Sequence, residues 1–149
     1  MVIKKALFII IITFISISIS AQKKNEIKIS EKIKSALLQM FPDVKNIQWN
    51  KNKDKTEAAF NYQGKNISVE FTGNEFFFMK TQIQPSEIPK AVNLSLNEYY
   101  NGYHILNVDL IRDSKNGIYY GLELMKTSVK IKVIFDQYGK LTKSAFQPN

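Results

Sequence analysis

The sequence predicts an α+β fold in which one helix and a four-stranded antiparallel meander occur twice in tandem. The eight strands are expected to form one sheet with both helices on one face. Two short segments, about 60 residues apart, carry apolar residues at helical spacing. Runs of alternating apolar and polar residues follow each segment, and turn-forming residues separate the runs.

The first helix is predicted from Ser30 to Phe41. Its apolar stripe consists of Ile33, Ala36, Leu37, Met40 and Phe41. Ser30 can cap the first turn with its hydroxyl group. Pro42 ends the helix, because the residue before a proline is disfavoured in the α region.

Four strands are predicted after this helix. Their apolar positions are, in order, Ile47 and Trp49; Ala58, Phe60 and Tyr62; Ile67, Val69 and Phe71; and the Phe76–Phe77–Phe78 run within Glu75 to Ile83. A polar loop over Lys51–Lys55 and turns at Gly64 and Gly73 connect them. Short connections of this kind are typical of an antiparallel meander.

The second unit repeats this order. Pro85 to Pro89 open its helix, Asn101–Gly102 close it, and its apolar stripe is Ile88, Val92, Leu96 and Tyr99. Its strands contain Leu106, Val108 and Leu110; Ile118, Tyr120, Leu122 and Leu124; Val129, Ile131, Val133 and Phe135; and Lys140 to Phe146. The two half-repeats, about 28–84 and 85–149, indicate an internal duplication.

Residues 1–21 are predicted to be a secretory signal peptide. Lys4 and Lys5 form a basic start, an uncharged segment follows, and small residues end at Ala21. Cleavage is expected after Ala21, with Ser20 as the second choice, so that residues 22–149 form the mature domain. The alternative is an N-terminal membrane anchor, because the uncharged run is close in length to the shortest membrane span.

Composition excludes several kinds of chemistry. The 149 residues include no cysteine and one histidine, so disulfides, thiolate metal sites, cysteine nucleophiles and histidine-rich metal sites are ruled out. His104 lies in an alternating strand without a neighbouring nucleophile motif. The formal charge of +8 is compatible with nucleic-acid binding, but an exported protein rarely meets nucleic acid. We therefore expect no enzyme, no cofactor and no nucleic-acid partner.

The chain resembles the PepSY-like domains of the β-lactamase-inhibitory-protein-like superfamily. The residues that carry this resemblance are Ala36–Leu37, Phe41–Pro42, Trp49, Val69–Glu70–Phe71, Ile88–Pro89, Tyr99 to Tyr103, and Val133 to Asp136. The resemblance implies an exported, non-enzymatic binding module, whose namesake inhibits β-lactamases with a concave sheet face and an inserting loop. The loop Lys51–Lys55, with Asp54, corresponds by position to that inserting hairpin; a simply solvated loop is the alternative.

A binding surface is predicted on the sheet face away from the helices. Alternation places large apolar residues there, where water is expected: Phe77, Met79, Tyr119, Met125 and Ile134. Lys130 and Lys132 share this face. Strand alternation cannot fix its own register across Phe76–Phe77–Phe78, so a shift by one residue remains open at this point.

Together these features predict a bacterial periplasmic or secreted module that binds an envelope protein or peptide through the open sheet face. Inhibition of a hydrolase is one form that this function can take. After signal cleavage no membrane contact is expected. The alternative is a carrier that holds a small or lipid-like ligand between the helices and the sheet, which requires an internal cavity.

Overall fold

The structure, a computed structural model, describes residues 27–147. The predicted signal peptide and both cleavage positions lie outside the described residues. The two helices are α1 (Glu31–Met40) and α2 (Lys90–Tyr99). The strands are β1 (Gln48–Asn52), β2 (Lys55–Tyr62), β3 (Lys65–Thr72), β4 (Glu75–Gln82), β5 (His104–Asp113), β6 (Ile118–Lys126), β7 (Val129–Asp136) and β8 (Leu141–Gln147).

The eight strands form one open antiparallel sheet whose spatial order is the chain order, β1 to β8. Strands that are consecutive in the sequence are therefore neighbours in the sheet, including β4 and β5, whose connection contains α2. One helix precedes β1 and the other precedes β5. The predicted α+β class and the eight-stranded antiparallel sheet are confirmed.

The first helix begins and ends where its signals predict, with a difference of one residue. Ser30 is the N-cap, and its Oγ accepts a hydrogen bond from the N–H of Ile33 at 3.3 Å. Phe41 leaves the helical conformation before Pro42, and its N–H donates to the carbonyl of Leu37. Ile33 and Leu37 are the buried residues of α1.

The second helix starts later than predicted. Pro85–Glu87 form a separate 3₁₀ turn, and α2 begins after Pro89. Ile88 separates them in an extended conformation, with φ −70° and ψ 130°, because Pro89 disfavours the α region at the residue before it. Glu87 accepts a hydrogen bond from the N–H of Gln84 and so caps the 3₁₀ turn.

The β1–β2 connection is shorter than the predicted loop Lys51–Lys55. Asn52 pairs directly with Lys55, so the hairpin turn contains only Lys53 and Asp54. Lys53 has a φ of +54°, the left-handed conformation that tight hairpins require. Lys51, Asn52 and Lys55 therefore belong to strands, although their polarity predicted a loop.

The core consists of two clusters on one face of the sheet, one under each helix. Both clusters lie on the same face of the sheet, because one row of directly paired residues crosses five strands and joins the two clusters. That row is Ile67, Thr81, Leu110, Tyr120 and Phe135. Side chains with zero exposure fill the space below each helix, among them Leu37 and Phe71 in the first cluster and Val92 and Phe135 in the second.

Candidate binding face of the sheet

The sheet surface opposite the two helices is called here the outer face. Along β2, Thr56, Ala58 and Phe60 are buried, and the residues between them are exposed or half-buried. Alternation therefore gives each strand an outer and an inner set of side chains. Both helices cover the inner set, so within residues 27–147 no helix lies over the outer face.

Five of the predicted binding residues lie on the outer face, on β6 and β7. They are Tyr119, Met125, Lys130, Lys132 and Ile134. Each alternates with a residue of the second core cluster. Met125 pairs with Lys130, and Lys132 lies opposite Glu123. Tyr119, Met125 and Ile134 are half-buried rather than fully exposed.

Met79 does not lie on the outer face, and its predicted placement is wrong. It pairs with the fully buried Val69 and packs against the first core cluster. The reason is a β-bulge at Glu70/Phe71, where Phe77 is the extra residue on β4. Phe77 is 45% exposed, and the parity of β4 changes after it. The shift by one residue, left open by the sequence, does occur within the phenylalanine run.

Phe77 and Asp54 lie at one end of the strands, near the β1–β2 turn. The Nζ of Lys55 lies 5.7 Å from the centre of the Phe77 ring and 2.8 Å from the Oε1 of Glu70. The hydrogen bond from Lys55 to Glu70, followed by their charge attraction, raises the pKa of Lys55. Asp54 is exposed at the turn, and its backbone carbonyl accepts a hydrogen bond from Gly73.

Met125 and Lys130 lie at the opposite end of the strands, because β6 ends and β7 begins there. Met125 and Lys130 are therefore separated from Phe77 and Asp54 by the length of the strands. Lys132 is engaged in an ion pair with Glu123, at 2.8 Å between Nζ and Oε1. Its charge is therefore partly compensated within the sheet.

Sequence reasoning did not predict the positions of two apolar residues of β5, Ile111 and Leu106. Ile111 lies on the outer face opposite Tyr119, and its Cδ1 is 3.0 Å from the position that a Cβ on Gly121 would take. The absence of a side chain at Gly121 gives Ile111 this position, and Ile134 pairs with Gly121 from the other side. Continued alternation after Leu110 would have revealed Ile111.

The predicted alternation of Leu106 with Val108 and Leu110 does not hold at Leu106. A second bulge, between Ile105 and Asn107, leaves Leu106 as the unpaired residue. It is 43% exposed, whereas Ile105 packs against the second core cluster. No pattern in the sequence signals this bulge, because Ile105 and Leu106 are equally apolar.

A groove of about 610 Å³ crosses the outer face from β1 to β5. Its floor contains two small side chains, Ala59 and Ser68, which pair directly with each other. Glu57 lies on its wall and accepts a hydrogen bond from Ser68 at 2.5 Å. Lys80 lies on the opposite wall, with its Nζ 5.0 Å from the centre of the Phe78 ring.

Four side-chain amides form a continuous hydrogen-bonded row along this groove, called here the amide ladder: Asn61, Asn66, Gln82 and Asn107. Asn61 donates to Asn66 at 3.2 Å, Asn66 donates to Gln82 at 2.7 Å, and Gln82 donates to Asn107 at 2.8 Å. The row begins at Gly64, whose N–H donates to Asn61. The ladder joins four neighbouring strands, β2 to β5, and the sequence analysis did not identify it.

Within residues 27–147, no cluster of three or more His, Asp or Glu side chains could hold a metal ion. His104 is exposed and pairs with Met125. No helix of this region is long and apolar enough to cross a membrane.

Several solved structures share this fold. A DUF2874 family protein from Bacteroides uniformis is 20% identical, with 80% of this chain and 90% of that chain covered and a TM-score of 0.74. A BLIP-like protein from Bacteroides fragilis is 18% identical, with 84% and 91% covered and a TM-score of 0.71. A candidate periplasmic protein from Bacteroides eggerthii is 20% identical, with 80% and 89% covered and a TM-score of 0.74.

These identities establish the fold alone. No protein-family model matches the chain, and no curated protein matches it. The chain thus has the same fold as these Bacteroides proteins, one of which is described as BLIP-like. None of the three structures bears the name of an enzyme.

Proposed function

We propose that this protein is an exported, non-enzymatic binding module that captures a protein or peptide of the bacterial envelope on its outer face. The predicted signal peptide and the periplasmic description of a structural neighbour support export. The BLIP-like fold supports a module that acts by binding. Within this fold we assign the chain to the PepSY-like domains.

The observation that carries the proposal is the composition of the outer face on β5 to β7. Ile111, Tyr119 and Ile134 surround Gly121, and Met125 follows on the same strand as Tyr119. A merely solvated sheet face is expected to be polar. Large apolar side chains beside charged ones are the usual composition of a protein contact.

The hairpin tip is a second contact region in this proposal. Asp54 is exposed there, next to Lys55, whose ammonium group lies near the Phe77 ring. The exposed carboxylate of Asp54 at the hairpin tip, with the exposed Phe77 ring of β4 nearby, can insert into a cleft of a hydrolase. Inhibition is the form of binding that this geometry allows.

The same architecture supports the proposal that the fold arose by duplication. Each half contains one helix followed by four strands. Each half also has a bulge at the same place, since Phe77 is the extra residue beside Phe71, and Thr142 is the extra residue beside Phe135. Bulges are usually retained features of a fold rather than accidents, so their matched positions favour a common origin for the two halves.

The test compares substitutions on the two sides of the molecule. Tyr119→Asp combined with Met125→Asp should abolish capture of envelope proteins by the immobilised protein. Leu94→Asp is the matched control, because Leu94 is 59% exposed on α2, away from the outer face. If both variants fold and capture the same proteins as the unmodified chain, the outer face of β5 to β7 is not the binding surface.

Inhibition is tested separately with hydrolases exported by the same cell. The unmodified protein should lower the activity of one of them in a saturable manner, and Asp54→Ala should weaken this effect. Equal inhibition by the Asp54→Ala variant would remove the hairpin tip from the contact. Absence of inhibition of every exported hydrolase, with capture still intact, would restrict the function to binding.

A further inference from the structure

We propose that the groove binds a neutral polysaccharide chain that lies along the amide ladder on β2 to β5. The ladder residues supply donors and acceptors at regular intervals across the sheet. Each NH₂ group of Asn61, Asn66 and Gln82 uses one hydrogen in the ladder and keeps a second one. The NH₂ group of Asn107 donates to no described residue, although its oxygen accepts from Gln82.

The chemistry of the groove favours a ligand without net charge. The chain has a formal charge of +8, yet the groove walls carry one lysine and two carboxylates: Lys80, Glu57 and Asp109. Glu57 is hydrogen-bonded to Ser68, and Lys80 lies near the Phe78 ring. An anionic polymer would therefore find little positive charge here, whereas a polyhydroxylated neutral chain matches the amides.

The groove floor between β2 and β3 presents small side chains. Binding of a protein segment depends mainly on a few large side chains that enter desolvated pockets. The floor here is formed by Ala59 and Ser68, and the aromatic Phe60 beside them points to the core on the other face. A ligand that hydrogen-bonds along its whole length fits this surface better than one that needs an apolar pocket.

The spacing of the ladder also suits a glycan. Neighbouring strands lie about 4.8 Å apart, so the ladder presents one amide per strand at this interval. One pyranose ring with its glycosidic oxygen advances a β-1,4-linked chain by a similar distance. Successive sugars can thus meet successive amides without bending of the chain.

This inference concerns β2 to β5, and it does not depend on protein capture by β5 to β7. The test uses the ¹⁵N-labelled protein purified after export, with chitotetraose as the probe. Chitotetraose is neutral and β-1,4-linked. We expect saturable shifts of the side-chain NH₂ signals of Asn61, Asn66, Gln82 and Asn107. The amides of Asn97 on α2 should not move, since this residue lies outside the groove.

Gln82→Met removes the central amide while keeping the length of the side chain, and about tenfold weaker binding of chitotetraose is expected. Gln39→Met is the matched control, because Gln39 is exposed on α1. A thermal melt shows whether each variant is folded. Should Gln82→Met fail to fold, the signals that shift in the unmodified protein decide the question.

Three outcomes would overturn the proposal. The first is that the ladder signals do not respond to chitotetraose at any concentration. The second is equal binding by the Gln82→Met and Gln39→Met variants. The third is a response of the ladder to a neutral glycine–serine peptide of comparable length but not to the glycan, which would make the groove a peptide site. Loss of protein capture in the Tyr119 and Met125 variant bears on none of these results.

Discussion

Gly139 lies in the β7–β8 turn, where the turn meets the side of α2. Its φ is +85°, and a Cβ there would lie 2.5 Å from the carbonyl oxygen of Ala91 and 2.8 Å from its carbon. The carbonyl of Gly139 accepts a hydrogen bond from the Oγ of Ser95 at 2.7 Å. Because the clashing atoms belong to the helix backbone, they cannot move aside as the end of a side chain can. Gly139→Ala should push the turn away from α2.

The expected loss of stability has two parts. A left-handed backbone costs an L-residue about 1–2 kcal/mol, and losing the Ser95 hydrogen bond adds about 1 kcal/mol. Gly139→Ala should therefore lower the free energy of unfolding by about 2–3 kcal/mol.

Gly73→Ala is the matched control. Gly73 also has a positive φ, +60°, but a Cβ there meets nothing within 4 Å. Only the conformational cost of about 1–2 kcal/mol applies. Urea unfolding followed by far-UV circular dichroism measures both variants. Equal losses in the two variants would refute the contact between the turn and α2.

Two further predictions concern the packing of α1 and the dependence of the free energy of unfolding on pH in the acid range. Leu37→Ala should lower the free energy of unfolding by about 2–5 kcal/mol, because Leu37 is fully buried. Leu38 is 47% exposed, so Leu38→Ala should change the free energy of unfolding in urea by less than about 0.5 kcal/mol. Similar losses in the two variants would contradict the assignment of the buried face of α1. Hydrogen bonds from the N–H of Gln84 and from Lys65 lower the pKa of Glu87, so its stabilising effect is present above the ordinary carboxyl pKa and is lost as the pH falls through the lowered value. Glu87→Gln should make unfolding less dependent on pH in that acid range, and an unchanged pH profile would argue against this cap.

The helices and the inner face of the sheet could be predicted from the sequence because each rests on local physical causes. Ser30 and Pro42 delimit α1 through a cap and a steric restriction that involve only neighbouring residues. Period-two alternation placed Val69 and Phe71 in the core, where both are fully buried. Such signals require no knowledge of which strands pair.

The β-bulges could not be predicted from alternation, because a bulge depends on how a strand pairs with its neighbour. Three consecutive phenylalanines look alike in a period-two pattern, and only the partner strand shows that Phe77 is the extra residue. Met79 was misplaced for this reason. The position of Leu106 was missed for the same reason, because the bulge leaves it unpaired and Ile105 pairs with Leu124 at the core position.

The complete groove could not be predicted from either half of the sequence, because its lining extends from the first half of the chain onto β5 of the second half. The core clusters under α1 and α2 share no residue, and the halves are joined through the pairing of β4 with β5. Gln82 on β4 donates to Asn107 on β5 across this junction. Asn61 and Asn66 belong to the first half alone, so neither half contains the complete ladder. A chain that lay along all four amides would therefore contact both halves at once, and its binding would oppose their separation.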